Sequence, residues 1–122
     1  MFGLFRNKKQ ISLEIDEILK QYHETCEVVA EVIYNRCGIS NEKLTDEDNA
    51  IMDAPISKLY NIINSSSNYT KKKIITELFK SNLNEFNYGF CSNIIRITVT
   101  MTLQDQGKID ISRIGGNQNI NI

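Results

Sequence analysis

The first strong pattern along the chain is a stripe of apolar residues at helical spacing between Ser12 and Cys37. Placed at about 100° per residue, these positions share one face of a helix. They are Ile15, Ile18, Leu19, Tyr22, Cys26, Val29, Ile33 and Cys37. Ser12 can cap the start of the helix, and Gly38 stands where a left-handed residue often ends one. The pattern therefore predicts a first helix over 12–37.

A second helix is predicted after a loop at 41–44. The acid-rich run 45–48 is typical of a capped helix N-terminus. Pro55 fits best in the first turn of a helix that begins at Asp53, and the alternative is one longer helix kinked at Pro55. The apolar residues assigned to this element are Leu59, Ile62 and Ile63.

A third helix is predicted after a polar turn at 64–68. Thr70 is expected to cap it, because a hydroxyl before an apolar periodic run is a common start signal. The apolar residues assigned to it are Ile74, Ile75, Leu78, Phe79, Leu83 and Phe86.

Residues 88–106 carry two patterns at once. Apolar and polar residues alternate over 95–104, which is typical of a strand. Apolar residues also recur at helical spacing on two sides of the same segment. A strand hairpin of 94–104 with 108–114 would be marginal without further partners, whereas a helix buried in a bundle and stopped at Gly107 avoids that difficulty. We therefore predict a helix, with the hairpin as the alternative.

Together these segments predict an all-α protein, a compact bundle of about four helices in a single domain over 1–122. Short tails are expected at 1–10 and 115–122. The chain has 122 residues, of which 41% are hydrophobic and 24% are charged, and this is ordinary globular composition. It contains no apolar run long enough to cross a bilayer, so we expect no membrane association. The bias towards Ile and Asn suggests AT-rich codon usage, as in many low-GC bacteria and mobile elements.

Acidic residues are concentrated in the first half of the chain. Residues 1–61 hold seven basic and eleven acidic side chains, a net charge of −4, whereas residues 62–122 have a net charge of +3. On the first helix, Glu14, Glu17, Glu24, Glu27 and Glu31 lie away from the apolar face. Such a face is either an ordinary solvated surface or a docking surface for a basic protein partner. Asp46 and Asp48, with Glu47 and Asp53, can extend that surface or serve only the start of the second helix.

The run Lys71, Lys72 and Lys73 is the main basic feature. It opposes the dipole of the predicted third helix, a conflict that sometimes marks an anion-binding site. Together with Arg96 it forms an alternative nucleic-acid-binding hypothesis. The acidic isoelectric point, about 5.8, and the scarcity of arginine argue against nucleic acid as the partner.

Site chemistry is sparse. Cys26, Cys37 and Cys91 are an odd number without close pairing, which favours buried thiols in the cytoplasm over a secreted disulfide framework. His23 and Cys26 form one loose pair, whereas zinc sites usually need two close pairs, so we expect no metal and no cofactor. No nucleophile elbow or phosphate loop is present.

The sequence therefore predicts a non-catalytic protein-binding domain, such as a small inhibitor, immunity-type or accessory protein. In this hypothesis Glu17, Glu24, Glu27, Glu31, Asp46 and Asp48 contact the partner. The alternatives are a nucleic-acid-binding regulatory module that uses Lys71–Lys73, and a structural subunit that assembles into homo-oligomers.

Overall fold

Every regular element in the described part of the chain is a helix. The computed structural model describes residues 3–114, with side chains described for 8–112. The elements are α1 (Gly3–Ile33), a π-helical segment (Tyr34–Ile39), α2 (Asp46–Ser65), α3 (Asn68–Glu77), α4 (Tyr88–Asp105) and the short α5 (Ile111–Ile114). The predicted all-α fold is confirmed.

The segment with two competing patterns is helical. Residues 94–104, one arm of the alternative hairpin, lie within α4, and α5 occupies part of the other arm, so the hairpin does not form. The predicted tail at 115–122 lies outside the described residues. Between residues 3 and 114, no helix combines the length and apolar character that a membrane span needs.

Helix α1 starts earlier than its apolar stripe indicates. It begins at Gly3, so Ser12 lies inside the helix instead of capping it, and residues 3–10 belong to α1 rather than to a tail. Leu19, expected on the inner face, is 45% exposed. The inner face instead includes two polar residues, and its buried members are Ile18, Gln21, Thr25, Val29 and Ile33. Cys37 is buried in the π-helical segment that follows.

Helix α2 is one continuous helix that begins at a capping box. The Thr45 hydroxyl accepts a hydrogen bond from the Asp48 backbone N–H, and the Asp48 carboxylate accepts one from the Thr45 N–H. These bonds satisfy backbone donors at the first turn, so the helix starts there. The predicted start at Asp53 was wrong, and Pro55 lies inside α2, as in the longer-helix alternative.

The core lies where α1, α2 and α4 meet. The fully buried face of α2 consists of Met52, Ile56, Leu59 and Ile63, at helical spacing. It packs with the inner face of α1, and α4 adds Cys91, Ile95, Val99 and Leu103. Because Glu14 lines a groove with Ser66, and Arg36 bonds Asp48, the start of α1 lies beside the end of α2. The two helices are therefore antiparallel.

Helix α3 and the loop after it are held by aromatic rings. Phe79 is 2% exposed, and its ring makes edge contacts with Tyr22 at 6.2 Å and Phe86 at 5.0 Å between centroids. The cap of α3 is Ser67, whose hydroxyl accepts from the Thr70 N–H, so the predicted Thr70 cap was wrong. Thr70 is completely buried inside the helix instead.

Two glycines have different structural requirements. Gly107 has φ 72°, and the N–H groups of Gly107 and Lys108 bond the carbonyls of Gln104 and Leu103, which ends α4 as predicted. Gly38 was expected to be left-handed in the same way, but among the described glycines only Gly107 has a positive φ. A Cβ on Gly38 would lie 2.7 Å from the Lys108 carbonyl oxygen. Gly38 is therefore required by close packing.

We expect Gly38→Ala to lower the free energy of unfolding by about 1–3 kcal/mol, because the added methyl meets backbone that must shift. Gly107→Ala should cost about 1–2 kcal/mol through its left-handed φ alone. Gly89→Ala is the matched control, since its Cβ makes an ordinary 3.4 Å contact. Urea denaturation followed by circular dichroism measures all three. Equal stability of the Gly38 and Gly89 variants would contradict the packing explanation.

Candidate protein-binding surface

The glutamates predicted on the outer side of α1 are exposed there. Glu17, Glu24, Glu27 and Glu31 all lie opposite the buried face, and we call these four residues the acidic stripe. Glu27 lies 3.4 Å from His23 Nε2, with both side chains at least two-thirds exposed, so the pair is weak. Within the described residues, the other three glutamates have no ion-pair partner. The stripe therefore presents a row of carboxylates to solvent, interrupted by the exposed Lys20 between Glu17 and Glu24.

Two separate depressions lie between α1 and α2 beside the acidic stripe, one towards each end of the helix pair. At one end is a depression of about 570 Å³, whose lining includes Glu17 and Ile18 of α1 and Ala54, Lys58 and Asn61 of α2. These α2 residues were not among the predicted contacts, because no local pattern distinguishes a helix position facing a depression from one facing open solvent. The remaining lining residues are Glu14, Ser57, Ile62, Ser65 and Ser66.

A second depression, of about 350 Å³, lies at the other end of the α1–α2 pair. Glu31 and Val32 of α1 and Ile51 of α2 contribute to its lining. Ile51 is 48% exposed. The stripe therefore borders a depression at each end, at Glu17 and at Glu31.

Asp48, which was predicted to contact a partner, instead bonds groups within the fold. Its residue is 8% exposed, and its carboxylate accepts from Arg36 Nε at 2.8 Å as well as from the Thr45 N–H. The hydrogen bond from Arg36, together with that from Thr45, holds the pKa of Asp48 below its usual range despite partial burial. Asp46 is exposed in the first turn of α2. Of these two aspartates, Asp46 has the more accessible carboxylate.

Arg96 is not a surface cation. Its side chain is 10% exposed, and its guanidinium donates to Asn49 Oδ1 at 2.7 Å, Asp53 Oδ1 at 3.1 Å and Ser92 Oγ at 3.1 Å. Tyr88 also donates to the same Asp53 oxygen at 3.0 Å. Since the bonds to Asn49 and Asp53 join α4 to α2, Arg96 serves the fold. The nucleic-acid hypothesis was wrong to include it.

The three lysines of α3 remain near the surface but are not equivalent. Lys72 is exposed, Lys71 is half-buried, and Lys73 Nζ lies 3.1 Å from Glu77 Oε2. The hydrogen bond to Glu77 raises the pKa of Lys73. Because Arg96 is buried, no arginine with a described side chain lies at the surface beside Lys71, Lys72 and Lys73. Nucleic-acid sites usually include such arginines.

Glu14 holds the start of α3. Its carboxylate accepts from the Thr70 hydroxyl at 2.7 Å, the Ser67 hydroxyl at 2.9 Å and the Ser67 N–H at 3.2 Å. Partial burial raises the pKa of Glu14, but the hydrogen bonds from Thr70 and Ser67 outweigh it and keep that pKa below its usual value. A carboxylate at a helix N-terminus also offsets the unfavourable lysines that follow.

The thiols are poor nucleophiles. Burial raises the pKa of Cys91 to about 12 and also raises the pKa values of Cys26 and Cys37. All three cysteines are free. Across the part of the chain that the structure describes, no three His, Cys, Asp or Glu side chains are grouped in a way that could hold a metal ion.

Comparison of the chain with models of protein families, with curated proteins and with solved structures finds no match.

We expect Glu14→Gln to destabilise the protein by about 1 kcal/mol near neutral pH, because it removes a charge that accepts several hydrogen bonds. The lowered pKa of Glu14 means that its contribution is present above the unfolded value, about 4.3, and is lost as pH falls through the folded value. The stability difference between the two proteins should shrink as pH falls below about 4. Denaturant titrations across pH test this, and a pH-independent difference would contradict it.

Arg96→Met should lower the free energy of unfolding by about 2 kcal/mol, since it leaves the Asn49 and Asp53 oxygens without their buried donor. Lys72→Met, which removes an exposed cation, is the control and should change stability by less than about 0.5 kcal/mol. Thermal or urea denaturation measures both variants. Similar stability of the two would show that the Arg96 contacts contribute little.

Proposed function

We propose that this protein is a non-catalytic protein-binding domain that acts by covering the surface of a basic partner, as a small inhibitor, immunity-type or accessory protein. The observation that carries the proposal is the acidic stripe. Its carboxylates are exposed along one helix, and Glu17, Glu24 and Glu31 repeat every seven residues. A complementary basic surface would be attracted at long range and aligned with this row.

The hydrogen bonds of the other acidic residues support the proposal. Glu14, Asp48 and Asp53 accept hydrogen bonds from side chains on other elements, so their charges stabilise the fold. The stripe carboxylates make no such contact among the described residues. Like charges three or four residues apart cost a few tenths of a kcal/mol each. A bound cationic surface would turn that cost into a favourable interaction.

The state of the nucleophilic side chains supports a non-catalytic role. The raised pKa values of Cys26, Cys37 and Cys91 keep these thiols protonated at neutral pH. His23 lies on the open face of α1 beside Glu27, with its side chain 75% exposed. The proposal places the protein in the cytoplasm, where three unpaired thiols stay reduced.

The partner is identified by affinity capture of the protein from host lysate, with and without nuclease, followed by mass spectrometry. Glu24→Lys/Glu31→Lys should then weaken binding of that partner by about tenfold or more at physiological salt, because it replaces attraction with repulsion. Added salt should weaken binding of the unmodified protein. Circular dichroism checks that the variant keeps its helices.

The matched control is Glu85→Lys/Asp105→Lys, which changes the net charge equally at exposed positions outside α1. It should alter affinity by less than about twofold. If both variants lose affinity equally, binding depends on net charge and not on the position of the acidic stripe. Recovery that depends on nucleic acid, or a chain that is captured alone, would contradict the proposal.

A further inference from the structure

Helix α4 is apolar on two sides, and the bundle buries only one of them. One side packs in the core with α1 and α2. The other side carries Phe90, Ile94, Ile97 and Met101, which lie within about 60° of one another when each residue advances about 100°. Phe90, Ile94 and Ile97 are half-buried at the edge of the bundle, and Met101 is 45% exposed. We call these four residues the outer stripe.

The spacing of the outer stripe is that of a helix-packing seam. Its residues are separated by four, three and four positions, which is the a/d repeat of the heptad. Such a seam suits one further helix that crosses at about 20°, with the side chains of each helix inserted between those of the other. In the described residues α4 packs chiefly on α1 and α2, through its buried side. The outer stripe is therefore open to a further helix.

Helix α4 offers no exposed charge beside the outer stripe. The exposed residues at its two edges are Asn93 and Thr98, both neutral. The charged residues of α4 are Arg96, which is buried, and Asp105, which is the last residue of the helix. An apolar face with neutral edges does not repel a copy of itself, and it gives a strongly basic partner no charge to pair with. The charge distribution therefore favours a second copy of this chain as the occupant.

We propose that two copies of this chain associate through α4, with the outer stripe of one copy packed on the outer stripe of the other about a two-fold axis. The inference goes beyond the proposed function, which concerns the outer side of α1. The outer stripe and its two edges amount to about six residues a side, fewer than the roughly 20–30 of a standard interface. The dimer is therefore weak, with a dissociation constant on the order of 100 µM.

Analytical ultracentrifugation of the full chain between about 10 µM and about 1 mM tests the association. The mass should rise with concentration from 14.0 kDa towards twice that value. Met101→Glu places a carboxylate in each half of the interface and should weaken dimerisation by about tenfold or more. The matched control is Leu19→Glu, which makes the same change in charge at an apolar residue of α1 that is also 45% exposed. It should alter dimerisation by less than about twofold, and circular dichroism checks that both variants are folded.

NMR of methionine methyl groups identifies the surface that forms the contact. Met52 is completely buried in α2, whereas Met101 is exposed on the outer stripe. The Met101 methyl resonance should therefore shift when the unmodified chain is diluted, and the Met52 resonance should stay in place. Met101→Leu assigns the signal and, because it conserves volume and apolar character, should keep the association.

A mass that stays at 14.0 kDa up to about 1 mM would overturn the proposal. Equal weakening by Met101→Glu and Leu19→Glu would show that dimerisation depends on net charge and not on α4. A Met101 resonance that is unchanged while the mass rises would place the contact on another face and would also reject the proposal. None of these results bears on the proposed function, which the Glu24→Lys/Glu31→Lys variant tests separately.

Discussion

Helices α1 and α2 bury their apolar faces against each other, and the rest of the structure packs onto that pair. Ile18, Val29 and Ile33 meet a row of completely buried α2 residues. Each such side chain contributes about 1.5–3 kcal/mol when it leaves water, which outweighs the missing backbone donor at Pro55 in the middle of the interface. Most of a helix's stability in a protein comes from packing of its apolar face, so α1 depends on this contact.

Polar contacts set how the remaining elements join the pair. Glu14 ties the start of α3 to α1, Arg36 ties the end of α1 to Asp48, and Arg96 ties α4 to α2 through Asp53. Each is a charged group with several partners, and such bonds are stronger and more directional than apolar contact. They define the relative placement of helices whose apolar faces alone would tolerate small shifts.

The same contacts divide the acidic residues into two groups with different consequences. Those that bond across elements have their charges compensated inside the fold, whereas the acidic stripe stays in solvent. The candidate surface follows from this division: the outer side of α1 carries the charge, and α2 completes a depression beside each end of the stripe.

Local chemistry in the sequence determined the capped helix start at Thr45 and the helix end at Gly107, because each depends on residues a few positions apart. For residues 88–106 local patterns fitted both strand and helix, and burial in the bundle decided for the helix. The sequence also placed the acidic stripe on one side of α1. Only the tertiary structure decided that Arg96 is buried, since its partners Asn49 and Asp53 lie more than forty residues away. The close approach of Lys108 that requires Gly38 and the α2 side of the larger depression were hidden for the same reason. Contacts between distant segments leave no periodic signal in either segment.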